Sequence, residues 1–202
     1  MIAIIDYDAG NLNSAYKALV HLGKDPVITR EKDRILAADH IILPGVGAFG
    51  EAMKQLRSFG IPEVLEEAVK RGIPLMGICL GMQLLFEKGY EFGTHDGLGL
   101  LKGEVVPMQG AIPAELKIPH MGWNALIRKR EHPLLRSVRE GDCVYFVHSF
   151  YAAGCDDSLI ATAEYGIELT AAVAKDNVMG CQFHPEKSGK VGLGILRSFC
   201  DL

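Results

Sequence analysis

Cys79 has the sequence context of a catalytic nucleophile. It lies in the segment Gly77-Ile78-Cys79-Leu80-Gly81, directly after the apolar run Pro74–Ile78, which predicts a strand, and before a helix predicted from Leu80 to about Glu87. A strand, a sharp turn flanked by small residues and a helix together form a nucleophile elbow, here with cysteine where many hydrolases have serine. The helix N-terminus favours the thiolate and offers backbone N–H groups to an oxyanion. The alternative is a buried structural cysteine, the usual fate of this residue type.

A general base and a residue to orient it follow late in the chain. His184 ends the apolar run Val178–Phe183 and is followed by Pro185 and Glu186. Residues two apart in an extended segment face the same side, so Glu186 can share a face with His184, and Pro185 stops the strand from pairing further. A nucleophilic cysteine needs such a base, and the base needs a partner that fixes its tautomer. The sequence therefore predicts a Cys79–His184–Glu186 triad, although a strand-ending histidine beside a solvated glutamate is common in isolation.

A glycine-rich loop allows two interpretations. Residues Gly45 to Gly50 read G-x-G-x-x-G between a predicted strand and a predicted helix, which matches a dinucleotide-binding fingerprint. That fingerprint normally follows the first strand of its unit and has an acid at the end of the next strand. Here the acids about 20 residues on, Glu66 and Glu67, lie in an amphipathic run. The favoured interpretation is a loop whose N–H groups approach the carbonyl attacked by Cys79.

Composition excludes several classes of function. Hydrophobic residues make up 49% and charged residues 23% of the 202 residues, which is typical of a globular domain, and the net charge of −4 argues against a phosphate-driven nucleic-acid binder. No apolar stretch approaches the roughly 20 residues that span a bilayer, and the opening segment lacks the basic region of a signal peptide. Five cysteines without a CxxC pair indicate neither a disulfide framework nor a zinc site. We therefore expect a cytoplasmic protein without a metal, and no cofactor is indicated.

The first half of the chain alternates strands and helices, with a turn predicted at Asp8-Ala9-Gly10-Asn11. Uninterrupted apolar strands that alternate with helices predict a parallel sheet covered on both faces. The predicted strands are Ile2–Asp6, Pro26–Thr29, His40–Leu43 and Pro74–Ile78, and the predicted helices are Leu12–Leu22, Phe49–Phe59, Pro62–Arg71 and Leu80 to about Glu87.

The second half has short runs separated by turn residues, with little helix between them. We expect these runs to add antiparallel strands to the same sheet, and a helix over Val191–Phe199 to close the chain. The runs are Glu104–Met108, Val144–Val147, Leu159–Ala163, Thr170–Val173 and Val178–Phe183. The predicted fold is an α/β domain with an open, mostly parallel, flavodoxin-like central sheet, flanking helices and added antiparallel strands, and it occupies residues 1–202 as a single domain.

The motifs together resemble those of a known enzyme family. The segments Pro44–Gly47, Gly77–Gln83 and Phe183–Glu186 are similar to the three signature segments of class I (triad) glutamine amidotransferases. Further segments resemble one branch of that family, the glutaminase subunits that supply ammonia to a cyclase of histidine biosynthesis. These are Asp6-Tyr7, Gly10-Asn11, Gly47–Gly50, Gly97–Leu100, Pro119–Asn124, Phe146–Ser149 and His184–Ser188, and they span nearly the whole chain. No motif position departs from the family's pattern, and Phe150 stands where the family often has tyrosine.

The resemblance implies a role for each matching residue. Cys79 would form a glutamyl thioester, His184 would act as base and then as acid, and Glu186 would orient it. The oxyanion would be bound by backbone N–H groups of Leu80 and of the Val46–Gly47 segment, which would need to flip on activation. The α-amino and carboxylate groups of glutamine would be held by Gly47, Gln83, Glu91, His148, Ser149 and Phe150.

The resemblance also implies a partner. Ammonia released into neutral water is mostly protonated and is then no longer a nucleophile, so a synthetic glutaminase needs a sealed path to an acceptor site. By resemblance, that site lies on a (β/α)8-barrel cyclase, which makes imidazole glycerol phosphate and aminoimidazole carboxamide ribonucleotide. The residues expected to face this cyclase are Asn11, Pro119, His120, Met121, Trp123 and Lys187. Trp123 is the single tryptophan, and a core aromatic is its alternative interpretation.

Three other functions remain open at this level. The chain could be a different triad glutaminase subunit, such as that of pyridoxal phosphate synthase, although Pro119–Asn124 argues against it. It could be a free-standing γ-glutamyl hydrolase that is active without a partner. It could also be an inactive binding module, although intact Cys79, His184 and Glu186 argue against that. We expect the isolated protein to be nearly inactive, because the glycine-rich Gly45–Gly47 segment can adopt more than one conformation.

Overall fold

The computed structural model describes residues 1–8 and 10–202, so Ala9 of the predicted Asp8–Asn11 turn lies outside the described residues. The helices are α1 (Leu12–His21), α2 (Lys32–Leu36), α3 (Phe49–Ser58), α4 (Ile61–Lys70), α5 (Leu80–Gln83) and α6 (Gly189–Cys200). The strands are β1 (Ile2–Ile5), β2 (Pro26–Thr29), β3 (His40–Leu43), β4 (Leu75–Ile78), β5 (Lys88–Gly89), β6 (His95–Asp96), β7 (Glu104–Pro107), β8 (His120–Ala125), β9 (Ile127–Arg128), β10 (Cys143–His148), β11 (Phe150–Ala153), β12 (Leu159–Glu164), β13 (Glu168–Lys175) and β14 (Val178–Cys181). None of the helices in these described residues is long and apolar enough to cross a membrane.

The central sheet has the strand order β2-β1-β3-β4-β14-β13-β12-β9. From β2 to β14 every pairing is parallel, whereas the pairings of β14 with β13, β13 with β12 and β12 with β9 are antiparallel. The predicted class, a mostly parallel sheet with added antiparallel strands, is confirmed. The carboxyl ends of β3, β4 and β14 are therefore adjacent at one edge, the edge at which ligands of such sheets bind.

Helices cover both faces of the central sheet, which explains why β1, β4 and β14 are buried along their whole length. On one face, α1 and α6 pack with residues such as Leu19, Ile195 and Phe199. On the other face, α2, α3 and α4 contribute Ile35, Leu56 and Leu65 among others. Each such side chain, fully buried, contributes roughly 1.5–3 kcal/mol relative to exposure. The two apolar layers thus hold the strand ends in fixed positions.

Two predicted strands of the second half do not join the central sheet. The run Glu104–Met108 forms β7, which lies in a separate sheet of order β11-β7-β5-β6, and Val144–Val147 lies in β10, which pairs with β8. The prediction that they extend the central sheet is therefore wrong. In β10, buried residues alternate with more exposed ones, as expected for a strand covered on one face, whereas central strands are buried on both. This alternation appears only in the burial of the side chains, because the residues of β10 itself are almost all apolar.

Two further local predictions need correction. The helix after Cys79 ends at Gln83 and does not reach Glu87, because Leu84, Leu85 and Phe86 are all buried in a turn. There the backbone leaves the helix, and the Glu87 N–H bonds to Gly103 O at 3.1 Å. The block Pro119–Asn124 was expected as an interface loop, but most of it forms strand β8, paired antiparallel with β10. The short helix α2 and the strands β5, β6, β9 and β11 were also missed.

Candidate active site

Cys79 sits at a strained turn between β4 and α5. Its backbone has φ 55° and ψ −113°, a positive φ that residues other than glycine seldom adopt. The conformation is held in place because the Cys79 N–H bonds to Cys181 O on β14 at 2.8 Å. The thiol sulfur lies 3.8 Å from Val147 O and 3.9 Å from Gln182 Nε2. Strain maintained by its surroundings is a frequent property of functional residues.

The glycines around Cys79 are required by close backbone contacts. A Cβ added at Gly81 would lie 1.9 Å from Leu43 O, and one added at Gly77 would lie 2.5 Å from Gly81 O. A Cβ at Gly45 would lie 2.6 Å from the Gly81 nitrogen. The ends of β3 and β4 and the start of α5 are therefore in direct backbone contact, and side chains at these positions would force them apart.

His184 and Glu186 lie together, as their spacing allows. His184 Nδ1 is 2.8 Å from Glu186 Oε1, and both side chains are only 3% exposed. The His184 N–H bonds to Tyr145 O at 3.0 Å, and Ser188 Oγ donates to His184 O at 2.6 Å. Glu186 lies in the short 3-10 turn Pro185–Lys187, which directly follows His184. Hydrogen bonds thus fix both the backbone of His184 and its imidazole ring.

The charge state of His184 follows from two opposing effects. Burial by itself lowers the pKa of the imidazole, but the interactions with Cys79 and Glu186 outweigh it and raise the pKa to about 9. The protonated ring is therefore favoured at neutral pH, where it lies between a sulfur and a carboxylate. A histidine in this position can give a proton to a leaving group and later take one from water.

A cavity of about 350 Å³ opens beside Cys79 and His184. This volume falls at the lower end of the range for small-molecule sites. Most of the residues predicted to act in catalysis or substrate binding line it, while Glu186 lies behind His184. The lining residues are Val46, Gly47, Cys79, Leu80, Gln83, Glu91, Pro119, Val147, His148, Ser149, Phe150 and His184.

Gln83 and Glu91 are partly committed to the protein. Gln83 Nε2 donates to Phe150 O at 3.0 Å and to Gln182 Oε1 at 2.9 Å, which uses both of its protons. Gln83 can therefore meet a ligand only as an acceptor. Glu91 Oε2 accepts the Phe49 N–H at 2.7 Å, at the first residue of α3. A carboxylate thus already occupies the helix N-terminus where the dinucleotide interpretation would place a phosphate, which argues against that interpretation.

Gln182 is a site residue that the sequence reasoning missed. It is fully buried, two positions before His184, and contacts both Gln83 and the sulfur of Cys79. A polar residue inside the apolar run Val178–Phe183 was the signal, since a buried amide needs partners. Among residues 1–8 and 10–202, no group of three or more histidine, cysteine, aspartate or glutamate side chains could hold a metal ion.

Sequence comparison assigns this site to a family. A profile described as "Glutamine amidotransferase class-I" matches residues 3–201. The chain belongs to the class-I glutamine amidotransferase family. The imidazole glycerol phosphate synthase subunit HisH of Lactococcus lactis is 51% identical over 201 residues, 99% of this chain and 98% of the relative. The protein of the same name from Wolinella succinogenes is 50% identical over 204 residues, covering both chains completely.

Solved structures support the same fold. A glutamine amidotransferase aligns with a TM-score of 0.77 at 20% identity, covering 100% of this chain and 98% of that one. PurLQS from Thermotoga maritima aligns with a TM-score of 0.74 at 22% identity, covering 99% and 97%. The class I glutamine amidotransferase-like fold predicted from the sequence is confirmed.

The residues expected to face a partner of this amidotransferase divide into two groups. Met121 and Trp123 on β8 are 61% and 55% exposed, and Pro119 and Lys187 are also exposed. Asn11 is exposed and caps α1, where its Oδ1 accepts the Ser14 N–H at 3.3 Å. Of these exposed residues, Pro119 also lines the cavity beside Cys79.

His120 does not belong with them. Its side chain is 1% exposed and turns inward between Phe146 and Tyr165, so it cannot contact a partner directly. The reason is the strand geometry of β8, in which alternate residues point to opposite sides. The expectation that His120 lies at the interface is therefore corrected.

Proposed function

We propose that this protein is the glutaminase subunit of an imidazole glycerol phosphate synthase. The observation that carries the proposal is the arrangement of Cys79, His184 and Glu186 at one edge of the sheet, beside a cavity of suitable size for an amino acid. The HisH name of relatives that are about 50% identical over their full length supports the choice among amidotransferases.

The proposed reaction begins at the sulfur of Cys79. The thiolate attacks the side-chain amide carbon of glutamine, and the carbonyl oxygen becomes an oxyanion. His184 gives its proton to the leaving nitrogen, the C–N bond breaks, and ammonia and a glutamyl thioester remain. His184 then takes a proton from a water, which attacks the thioester, and the sulfur leaves as thiolate while glutamate is released. Glu186 keeps His184 in the orientation that both steps need.

The remaining lining residues are assigned by position. Backbone N–H groups of Leu80 and of the Val46–Gly47 segment bind the oxyanion. The segment His148–Phe150, with Gly47, Gln83 and Glu91, holds the α-amino and carboxylate groups of glutamine. Glu91 has a free oxygen to accept from the ammonium group, since only Oε2 is used by Phe49. No cofactor takes part in this scheme.

The partner is proposed to be a (β/α)8-barrel cyclase that covers the mouth of the cavity. Exposed apolar side chains are a common feature of interfaces, and Met121 and Trp123 provide them next to Pro119 at the cavity wall. Asn11 and Lys187 add polar contacts on the other side. We also propose that residues 1–202 act as a single domain, that the complex works in the cytoplasm, and that the subunit alone is nearly inactive.

The test is glutamate release from glutamine by the purified protein alone, with the cyclase, and with the cyclase plus its nucleotide substrate. Activity that needs cyclase and nucleotide, and that is lost in Cys79→Ser, is the expected result. Cys143→Ser is the matched control, because Cys143 is exposed and its thiol contacts Gly141 O, which does not line the cavity. Full activity without the cyclase would instead indicate a free-standing hydrolase. Activation by a pyridoxal phosphate synthase partner would indicate the other amidotransferase subunit.

A further inference from the structure

A chain of four polar contacts runs from strand β8 to the cavity. His120 Nε2 lies 2.8 Å from Asn124 Oδ1, and His120 Nδ1 lies 3.0 Å from His148 Nε2. His148 Nδ1 lies 2.8 Å from Phe150 O, and Asn124 Nδ2 donates to Glu164 O at 3.0 Å. The chain therefore ends in a backbone carbonyl on each side, with two imidazoles and one amide between them.

Counting protons shows that this chain is one short when both rings are neutral. Each of the four contacts needs one proton, and the amide of Asn124 supplies one. The three contacts made by the rings need three more, but two neutral imidazoles carry only two. In one of the four contacts two acceptor atoms must therefore face each other without a proton between them, which we call a mismatch. The alternative is that the two histidines take up an additional proton and become charged.

The surroundings favour the neutral pair. Both rings are buried, and desolvation lowers the pKa of His120 and lowers that of His148 to about 4. The His120 ring also stacks on Phe146 and Tyr165, with centroids 4.8 and 4.1 Å away, so it has little freedom to rotate out of the chain. At neutral pH the network accordingly has one mismatched contact. The position of that contact determines which nitrogen of His120 and which nitrogen of His148 carries the proton.

The mismatch costs least at the outer end. A mismatch between His120 and His148, or between His148 and Phe150, leaves acceptors facing each other where both rings are buried. The Asn124–Glu164 contact is exposed, and a half-turn of the Asn124 amide moves the mismatch there, where a water can donate to both oxygens. His120 then donates from Nδ1 to His148 Nε2, and His148 donates from Nδ1 to Phe150 O.

We propose that His120 is a positioning residue for glutamine binding, which acts by donating its Nδ1 proton to His148. With this arrangement both nitrogens of His148 are used within the protein, so the ring does not contact glutamine but fixes the pocket segment His148–Phe150. The role of His120 is to hold that ring in place. This inference rests on the proposed glutaminase function and adds to it a residue that does not touch the substrate.

Two substitutions at one position test whether the hydrogen bond from the Nδ1 position of residue 120 to His148 supports glutamine binding, and ¹H–¹⁵N spectra of the wild type test which ring donates the proton. An asparagine amide places its N–H near the position of imidazole Nδ1, and a glutamine amide places it near Nε2. In the complex with cyclase and nucleotide, we expect H120N to keep the KM for glutamine within about threefold of wild type. We expect H120Q to raise that KM about tenfold, because a buried hydrogen bond is lost. Both variants should change kcat less than KM, since the triad is untouched.

The two variants lose the same aromatic stacking, so their difference reports the hydrogen bond to His148. An equal KM in both, or a lower KM in H120Q, would overturn the inference, as would a loss confined to kcat. Absence of glutaminase activity in wild type would instead refute the proposed function. Long-range ¹H–¹⁵N spectra of ¹⁵N-histidine-labelled wild type decide which ring donates, and they do so even if neither variant folds. Protonated Nδ1 in both rings is expected, and a proton on His148 Nε2 would overturn the inference.

Discussion

The Tyr7 hydroxyl donates a hydrogen bond of 2.8 Å to Pro44 O, immediately before the glycine segment beside Cys79. Tyr7 is fully buried, and a Cβ at Gly45 would lie 2.8 Å from its hydroxyl. Gly47, by contrast, has φ +103° and open space where a Cβ would be. The segment is thus anchored at Pro44–Gly45, whereas no atom would lie within 4 Å of a Cβ at Gly47. We therefore expect any change of conformation to be confined to Val46–Gly47, the residues proposed to bind the oxyanion.

We expect Tyr7→Phe to lower kcat of the activated glutaminase about fivefold. The lost hydrogen bond corresponds to about 1 kcal/mol, and the Pro44 carbonyl would then be free to turn. Steady-state kinetics with and without the cyclase measure the effect. Tyr165→Phe is the matched control, since its hydroxyl also donates to a backbone carbonyl, that of Lys117, away from this segment. Equal effects in both variants would refute the anchoring role.

Glu186→Gln should move the alkaline limb of kcat/KM to lower pH. Burial lowers the pKa of His184, while Cys79 and Glu186 raise it to about 9, so loss of the carboxylate charge lowers it. Wild type keeps the imidazolium up to about pH 9, and the variant loses it earlier. The loss of activity should therefore be larger at pH 8.5 than at pH 7. The exposed Glu164→Gln is the control, and an unchanged limb in Glu186→Gln would contradict the assignment.

Gly81→Ala should prevent proper folding, whereas Gly72→Ala should not. The new Cβ at position 81 would lie 1.9 Å from Leu43 O, a backbone atom of β3 that cannot move without opening the sheet. At Gly72, φ is +82° and space is open, so the cost is the conformational strain alone, about 1 kcal/mol. Chemical denaturation of both variants distinguishes the two costs. A soluble Gly81→Ala protein of normal stability would show that the contact is not rigid.

His148 should make the protein sensitive to acid. Burial lowers the pKa of His148 to about 4 in the folded protein, against about 6.5 for an exposed imidazole, so the unfolded chain binds the proton more readily. Protonation of His148 in the unfolded chain has no effect on the free energy of unfolding above pH 6.5, and it lowers that free energy as the pH falls from 6.5 towards 4. The expected loss is about 3 kcal/mol in the free energy of unfolding. Urea denaturation at pH 7 and pH 4 should show a smaller difference in His148→Gln than in wild type.

The central fold could be predicted because its signals are local. Apolar strands such as Pro74–Ile78 and amphipathic helices carry a period that a single sequence displays. The β8–β10 pair could not be predicted in the same way, because β8 contains Gly122, Trp123 and Asn124 and has a mixed pattern of burial. Its existence depends on pairing with β10, a contact between distant parts of the chain.

The site shows the same division. Cys79 and the pair His184 and Glu186 were suggested by short motifs, in which residue type and spacing directly express the chemistry. Gln182 lies in no such motif, and Tyr7 lies in a segment that resembles the family but indicates no role for it. Their roles depend on which atoms the fold brings near them. The burial of His120 likewise follows from the phase of a strand that the sequence reasoning did not identify.

Strands β8 and β10 pair with each other outside the central sheet, in a register that sets Trp123 opposite Tyr145 and His120 opposite His148. The same two strands therefore carry an exposed aromatic at one point and residues that line the cavity beside Cys79 at another. Thermodynamic linkage then makes the two binding affinities reciprocal. Whatever factor a bound protein applies to glutamine affinity by shifting these strands, glutamine must apply the same factor to the affinity for that protein.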